Sequence, residues 1–577
     1  MKKKVLPALI VIGLIILVVI IMGITALINK YTPTKKTEDL KEYFNISSDD
    51  EAALIVDNEL SDYKAKIIDD KVYVDYRFVH DSLNSRFYWD ANENVLLYTT
   101  ASDIISAAAD SNSYSVTKQT NDFGYPIVKA TSDSALIALD YVKQYSNITF
   151  KSYDDPARVV ITSKWDEIDS ATVSKSTQVR VKGGIKSPIL KQVKKNDTLT
   201  ILDSGDKWDK VATEDGIIGY IKSKAMSESK KTKLTNPDYE EETFTHIKKD
   251  KDICLAWNQV TSRSANSKVA QVISSTKGIN VMSPTWFYLN DNNGNLADIA
   301  SKDYVSYCHS QGIEVWGLFS NFENTDVDAA YVLTHTSTRT TLINQIMSAA
   351  FNYELDGVNI DFENITEAAY GDSYIEFIRE LAIKCHNNGI SLSVDVTVPA
   401  SFNKFFNRSD MANFADYIVI MGYDEHYKGS DAGSVSSIPW VTEGVEATLK
   451  EVPADQIILG MPFYTRIWEL TPKEDDDAVT DTEDQSKYTV ASQVYGMDAA
   501  ATQLATNNAT ASLDEESGQN YAEWSASNKL YKVWLEDSTS LEKRLKLVDD
   551  NKLAGAAFWK LGFENSSVWD TVIKYLD

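Results

Sequence analysis

The stretch Leu355-Asp356-Gly357-Val358-Asn359-Ile360-Asp361-Phe362-Glu363 decides the fold. Read as a β-strand, it sends alternate side chains to opposite faces. Val358, Ile360 and Phe362 form an apolar row suited to packing beneath helices. Asn359, Asp361 and Glu363 form a polar row that advances about 7 Å per step. Two acids and an amide on one face of an apolar strand are costly in an ordinary core. They fit a face that looks into a barrel mouth or cleft. The row ends in a glutamate at the carboxyl end of the strand, where barrel enzymes keep their catalytic groups.

Outward from this strand, residues 248–577 alternate short apolar runs with amphipathic stretches, the pattern of a parallel α/β architecture. Expected strands are Ile253–Trp257, Ile279–Met282, Ile313–Phe319, Val358–Phe362, Leu392–Val396, Tyr417–Met421, Ile457–Met461 and Gly555–Trp559. Helices are expected between them, among others over Thr340–Tyr353 and Tyr374–Asn388. The latter stops at Asn387-Asn388-Gly389. Eight strands in about 330 residues predict a (β/α)8 TIM barrel with a small insertion between strands seven and eight. That insertion, about 470–530, holds an acidic run, Glu474–Asp477, read as a solvated loop. Its segments Tyr521–Trp524 and Tyr531–Leu535 read as a hairpin.

The central motif resembles the signature of glycoside hydrolase family 18, with Asn359 standing where the first of two alternating acids often lies. That family comprises chitinases, β-N-acetylglucosaminidases and wall hydrolases on a (β/α)8 barrel. Three further segments are similar to family motifs in the same order. They are Met421-Gly422-Tyr423-Asp424, Gly460-Met461-Pro462-Phe463-Tyr464-Thr465-Arg466 and Phe558-Trp559-Lys560-Leu561-Gly562.

Cleavage of a glycosidic bond needs a proton donor for the leaving oxygen and a nucleophile or base at the anomeric carbon. Glu363 is the natural donor, helped to keep its proton by partial burial and the neighbouring Asp361. The resemblance implies that the substrate's own 2-acetamido carbonyl is the nucleophile, an exception to the two-carboxylate rule. It further implies that Asp361 orients the acetamide N–H, that Tyr423 donates to the acetamide oxygen, and that Asp424 supports Tyr423. Trp559 is the expected apolar floor, with Met421, Tyr464 and Arg466 also binding substrate. Asp356 and Asn359 are expected to tune Asp361 by hydrogen bonding. No metal and no organic cofactor is called for. Trp440, Trp286 and Trp468 are candidates for distal sugar sites, with packing an equal reading.

Composition bounds the rest. A net charge of −27 on 577 residues argues against a nucleic-acid partner. Cys254, Cys308 and Cys385 have neither metal-like spacing nor a disulfide framework and read as core thiols. Residues 1–4 are a basic head, and residues 5–28 carry no charge. Twenty-four helical residues span about 36 Å, enough for a bilayer core of about 30 Å. An uncleaved signal anchor is expected, with a cleaved signal peptide as the alternative. The localisation that follows is a single-pass membrane protein with its catalytic domain outside the cell.

Between anchor and barrel, 29–45 reads as a stalk and 46–165 as a duplicated α+β unit. Phe78-Val79, Asn84, Phe87 and Leu96-Leu97 recur 63 residues later as Tyr141-Val142, Asn147, Phe150 and Val159-Val160. These repeats resemble those at the amino terminus of copper amine oxidases, without the copper chemistry. Residues 171–226 resemble a bacterial Src-homology-3-like small all-β barrel, which implies a cell-wall partner; Trp208 reads equally as binding surface or as core. A polar linker is expected at 227–247. The expected activity is hydrolysis of an N-acetylglucosamine-containing glycan: peptidoglycan first, chitin or chito-oligosaccharide second. A non-hydrolytic glycan-binding protein on the same barrel is a third reading.

Overall fold

The computed structural model describes residues 5–363, 365, 370–473 and 484–576. The acidic run Glu474–Asp477 and the basic head 1–4 lie outside the described residues. The chain forms two compact units: 1–87, 107–113 and 122–241, and then 88–106, 114–121 and 242–577.

The second unit contains eight parallel strands: β1 (Ile253–Asn258), β2 (Val281–Leu289), β3 (Glu314–Ser320), β4 (Gly357–Asp361), β5 (Ser391–Thr397), β6 (Tyr417–Met421), β7 (Ile457–Pro462) and β8 (Gly555–Trp559). Each pairs with the next in sequence, and β8 pairs back with β1. The sheet is therefore a closed (β/α)8 barrel without a free edge. Seven strands lie within a residue or two of their expected bounds, whereas β2 starts two residues later than expected and runs on to Leu289, paired with Leu296–Asp298. Val358, Ile360 and Phe362 join the apolar layer under the helices Thr336–Tyr353 and Gly371–His386. Asn359 and Asp361 face the barrel axis, as the alternation requires.

The insertion starts directly after Pro462, earlier than 470. It is a five-stranded sheet including Tyr464–Pro472, Tyr488–Gly496, and the expected hairpin as Gln519–Ala526 with Lys529–Leu535. Tyr464 and Arg466 thus belong to the first insertion strand and not to β7.

A hairpin from far upstream also belongs to this unit. Tyr88–Ser106 falls inside the expected spacer at 46–165 yet belongs to the barrel unit, its polar groups spent on barrel helices. Tyr88 Oη lies 2.8 Å from Ser373 Oγ, Thr99 Oγ1 donates to Glu376 (2.7 Å), and the Arg339 guanidinium sits 5.0 Å over the Tyr88 ring. The expected linker is partly structured too. Ile247 N–H donates to Asp416 Oδ1 (2.6 Å), and Phe244 packs edge-on to Phe414. Cys254, Cys308 and Cys385 are free thiols buried in the barrel wall. Burial pushes the thiols of Cys254 and Cys308 up to about 12.

The first unit begins with the helix Val5–Tyr31, by length and composition long and apolar enough to cross a membrane. It also holds two seven-stranded sheets. In one, the hairpin Thr149–Tyr153 and Arg158–Thr162 lies against Glu51–Val56. The other spans the expected small β module and adds Glu167–Thr172 and Lys230–Lys233, beyond its expected limits. Its core is built on Val179, Leu199, Val211 and Ile221. Trp208 is half-buried, outside that core, with the Lys222 ammonium 5.8 Å from its ring.

Candidate active site

A cavity of ≈ 640 Å³ opens at the carboxyl end of the strands. Asp361 ends β4 and is buried, with one carboxylate oxygen that makes no hydrogen bond. Glu363, two residues on, is exposed to the cavity. Tyr423 and Asp424 follow β6 through Gly422, whose N–H donates to the Gly460 carbonyl at 3.0 Å. A Cβ at Gly422 would lie 2.7 Å from that carbonyl oxygen, so glycine lets the β6 exit hug β7. Asp424 adopts a left-handed φ of 60°, which aspartate tolerates better than most residues. Tyr464 Oη donates to Asp424 Oδ1 at 2.6 Å, and Arg466 Nη2 donates to the same oxygen at 3.1 Å. The insertion therefore completes the mouth of the barrel.

Trp559, at the end of β8, is half-buried and lines the cavity floor beside Trp257 of β1, edge-to-face at 6.0 Å. Trp257 meets Tyr423 in the same way at 6.4 Å. Met421 and Tyr464 line the cavity as well.

The charges are unusual for a protein interior. Burial, followed by the carboxylates of Asp395, Glu363 and Glu323, pushes Asp361 well above the ordinary carboxylate range. Burial, followed by Asp424 and Glu323, also raises Glu363. Burial raises Tyr423, with Asp361 and Asp395 the leading charges, so its hydroxyl stays a donor. Two carboxyl groups with raised pKa and a neutral phenol thus line one cavity with an apolar floor, an arrangement suited to acid-assisted cleavage of a polar bond.

Two expectations need correction. Asp356 sits at the opposite end of β4, where its Oδ2 accepts from Val315 N–H and contacts His309 Nε2, both at 2.8 Å. Five residues of strand separate it from Asp361, roughly 16 Å, so it stabilises the barrel base and does not tune the site. Asn359 makes no hydrogen bond to Asp361. Its Oδ1 accepts from Trp257 Nε1 (3.0 Å) and Ser283 Oγ (2.9 Å), and its Nδ2 donates to Asp395 Oδ1 (2.7 Å). Of the three distal tryptophans, Trp440 lines the cavity. Trp286 is core, bonded to Asn266, and Trp468 is core of the insertion, bonded to the Gly433 carbonyl.

The structure adds residues that sequence reasoning missed. Asp395 projects from β5, Glu323 follows β3 and takes the Ser320 hydroxyl at 2.6 Å, and Phe402 and Tyr427 line the cavity 78% and 56% exposed. Asp395 had a signal: Ser391, Ser393, Asp395 and Thr397 alternate along a recognised strand. The loop aromatics had none.

Residues 320–564 match the family described as Glycosyl hydrolases family 18. The chain is 22% identical over 346 residues to the uncharacterized glycosylase YvbX of Bacillus subtilis, covering 56% of this chain and 95% of that protein. It is 24% identical over 287 residues to the cortical fragment-lytic enzyme of the same organism, covering 48% of this chain and 63% of that one. Among solved structures, the carboxy-terminal domain of a chitinase candidate from Desulfitobacterium hafniense DCB-2 superposes with a TM-score of 0.50 at 19% identity. That likeness covers 57% of this chain and all of the other, and shows the fold. The carboxy-terminal barrel is that of a glycosidase.

Proposed function

We propose that this glycosidase barrel cleaves β-1,4 bonds of an N-acetylglucosamine-containing glycan by a substrate-assisted, retaining mechanism, with peptidoglycan as its polymer. The observation that carries the reading is the convergence of Glu363, Asp361 and Tyr423 on the Trp559 floor of one cavity. Glu363, its proton held by burial and by nearby carboxylates, protonates the leaving oxygen. The acetamide carbonyl of the bound sugar attacks the anomeric carbon, and Asp361 orients its N–H and offsets the positive charge that develops. Tyr423 donates to the acetamide oxygen. Asp424, gripped by Tyr464 and Arg466, holds the mouth beside it. Trp559 supports the distorted sugar ring.

Peptidoglycan is favoured by the membrane-length helix ahead of the enzyme, which suits a tethered enzyme and a local polymer, and by relatives such as the cortical fragment-lytic enzyme. The small β module then serves as a wall-contact domain, and the chain is anchored with its barrel outside the cell. One observation favours chitin or chito-oligosaccharide instead. Glu323, Asp361, Glu363, Asp395, Asp424 and Glu425 all line the cavity, while no described lining residue is lysine or arginine to receive the acidic groups of a peptidoglycan.

The test is digestion of purified peptidoglycan and of chitin oligomers by the protein and by Glu363→Gln, with the new reducing ends identified by mass spectrometry. N-acetylglucosamine ends from peptidoglycan, lost in the variant, support the reading. Cleavage of chitin alone moves the substrate. Binding without cleavage of either, or an undiminished variant, overturns it.

A further inference from the structure

The barrel interior holds a second buried carboxylate beside Asp361. Strands β4 and β5 are in register, Asn359 opposite Ser393 and Ile360 opposite Val394. The next position along both strands sets Asp361 beside Asp395 on neighbouring backbones about 4.8 Å apart. Both side chains face the axis, and both are buried, at 5% and 3% exposure. Two carboxylates so placed, without a cation, do not both ionise.

The hydrogen bonds say which one carries the charge. An indole N–H can only donate, so the Trp257 bond forces the oxygen of the Asn359 amide toward Trp257 and its NH2 toward β5. That NH2 donates to Asp395 Oδ1 at 2.7 Å and to Ser393 Oγ at 3.1 Å. Asp395 is thereby stabilised as the anion, whereas Asp361 Oδ1 has no partner. We infer that Asp395 is the positioning residue that keeps the resting Asp361 in its carboxylic-acid form and takes up the Asp361 proton when substrate binds. The inference rests on the glycosidase reading above and deepens it. The pair holds one proton and one negative charge throughout: the proton leaves an Asp361 oxygen for an Asp395 oxygen, and the charge appears under the acetamide.

No lysine, arginine or histidine stands among the described cavity-lining residues to neutralise the pair. Glu363 and Glu323, from beyond β4 and β3, are acids that repel further charge. Tyr423, from beyond β6, and Tyr374, from helix Gly371–His386, are phenols whose ionisation burial and this pair suppress. Burial, and after it Glu363, raise Asp395, and the Asn359 bond opposes that rise.

The test is the pH profile of kcat/KM on a soluble N-acetylated chito-oligosaccharide for the native chain, Asp395→Asn, and the exchange Asn359→Asp/Asp395→Asn. Without the Asp395 charge, Asp361 ionises more easily, so the acid limb of Asp395→Asn should move to lower pH by about one unit or more. The exchange returns one carboxylate to the same layer and should bring the limb back toward the native position. A limb that superimposes on the native one, or an exchange that leaves the single-variant profile unchanged, overturns the inference. Loss of fold in both variants, seen as loss of cooperative melting, shows a purely structural residue and overturns it too. A native chain that cleaves no N-acetylated glycan fails the glycosidase reading itself, a distinct outcome.

Discussion

The carboxylate of Asp90 accepts hydrogen bonds from both the backbone N–H and the hydroxyl of Thr336, each at 2.6 Å. Thr336 opens the helix Thr336–Tyr353, so an acid contributed from 246 residues away caps the positive end of a barrel helix. Glu93 repeats the device on the next residue, accepting from Ser337 N–H at 3.1 Å. Replacing Asp90 with alanine should cost about 1–2 kcal/mol, as loss of a helix cap does, and lower the barrel melting transition by several degrees. Calorimetry of the full chain checks this, and an unchanged transition would show the hairpin to be dispensable.

Tyr464→Phe removes the 2.6 Å bond to Asp424 without changing ring volume. Arg466 then holds the carboxylate alone. A hydrogen bond to a charged group is worth about 1.5–3 kcal/mol, so kcat should fall roughly ten-fold or more while KM changes little. Steady-state kinetics on a chromogenic chito-oligosaccharide decide it; an effect on KM alone would place Tyr464 in ground-state binding.

Asp361→Asn should abolish turnover yet stabilise the fold. The native carboxyl is raised by burial and by Asp395, Glu363 and Glu323. A raised acid contributes stability that is present below its unfolded pKa of about 4 and lost as pH rises through its folded value. The variant escapes that loss, so its melting temperature should exceed the native one by an amount that grows from about pH 4 upward. Melting curves across pH 4–8 test the sign, and a gap that closes with rising pH would refute the assignment of Asp361 as a strained acid.

Trp208 is half-buried and stands outside the core of its β module. If that module holds the wall, Trp208→Ala should weaken sedimentation with purified cell walls several-fold while leaving hydrolysis of soluble oligosaccharide unchanged. Equal retention would remove Trp208 from wall contact.

The barrel was legible because its signals are local. Each strand is a short apolar run whose alternation and spacing survive without knowledge of neighbours, so β6 and β8 match their expected residues end to end. The polar row that faces the cavity was legible for the same reason: Asp361 breaks a pattern that Val358 and Ile360 establish. What stayed hidden depends on register and on distance in the chain. Asp356 looked like part of the site because it shares a motif with Asp361, although the length of the strand between them puts it at the end away from the mouth. Asp395 went unremarked because its partnership with Asp361 exists only once β4 and β5 align. The Tyr88–Ser106 segment reads in sequence like any short hairpin. No periodicity in it announces that its acids will cap a helix beyond residue 330.

The three sealed thiols have a consequence for how this chain matures. No sulfur pair has to be found, formed or reshuffled, and burial keeps Cys254 and Cys308 protonated and inert toward oxidants. The barrel closes without a sulfur cross-link, through the pairing of β8 with β1. The folded barrel therefore carries no sulfur cross-link whose reduction could open it.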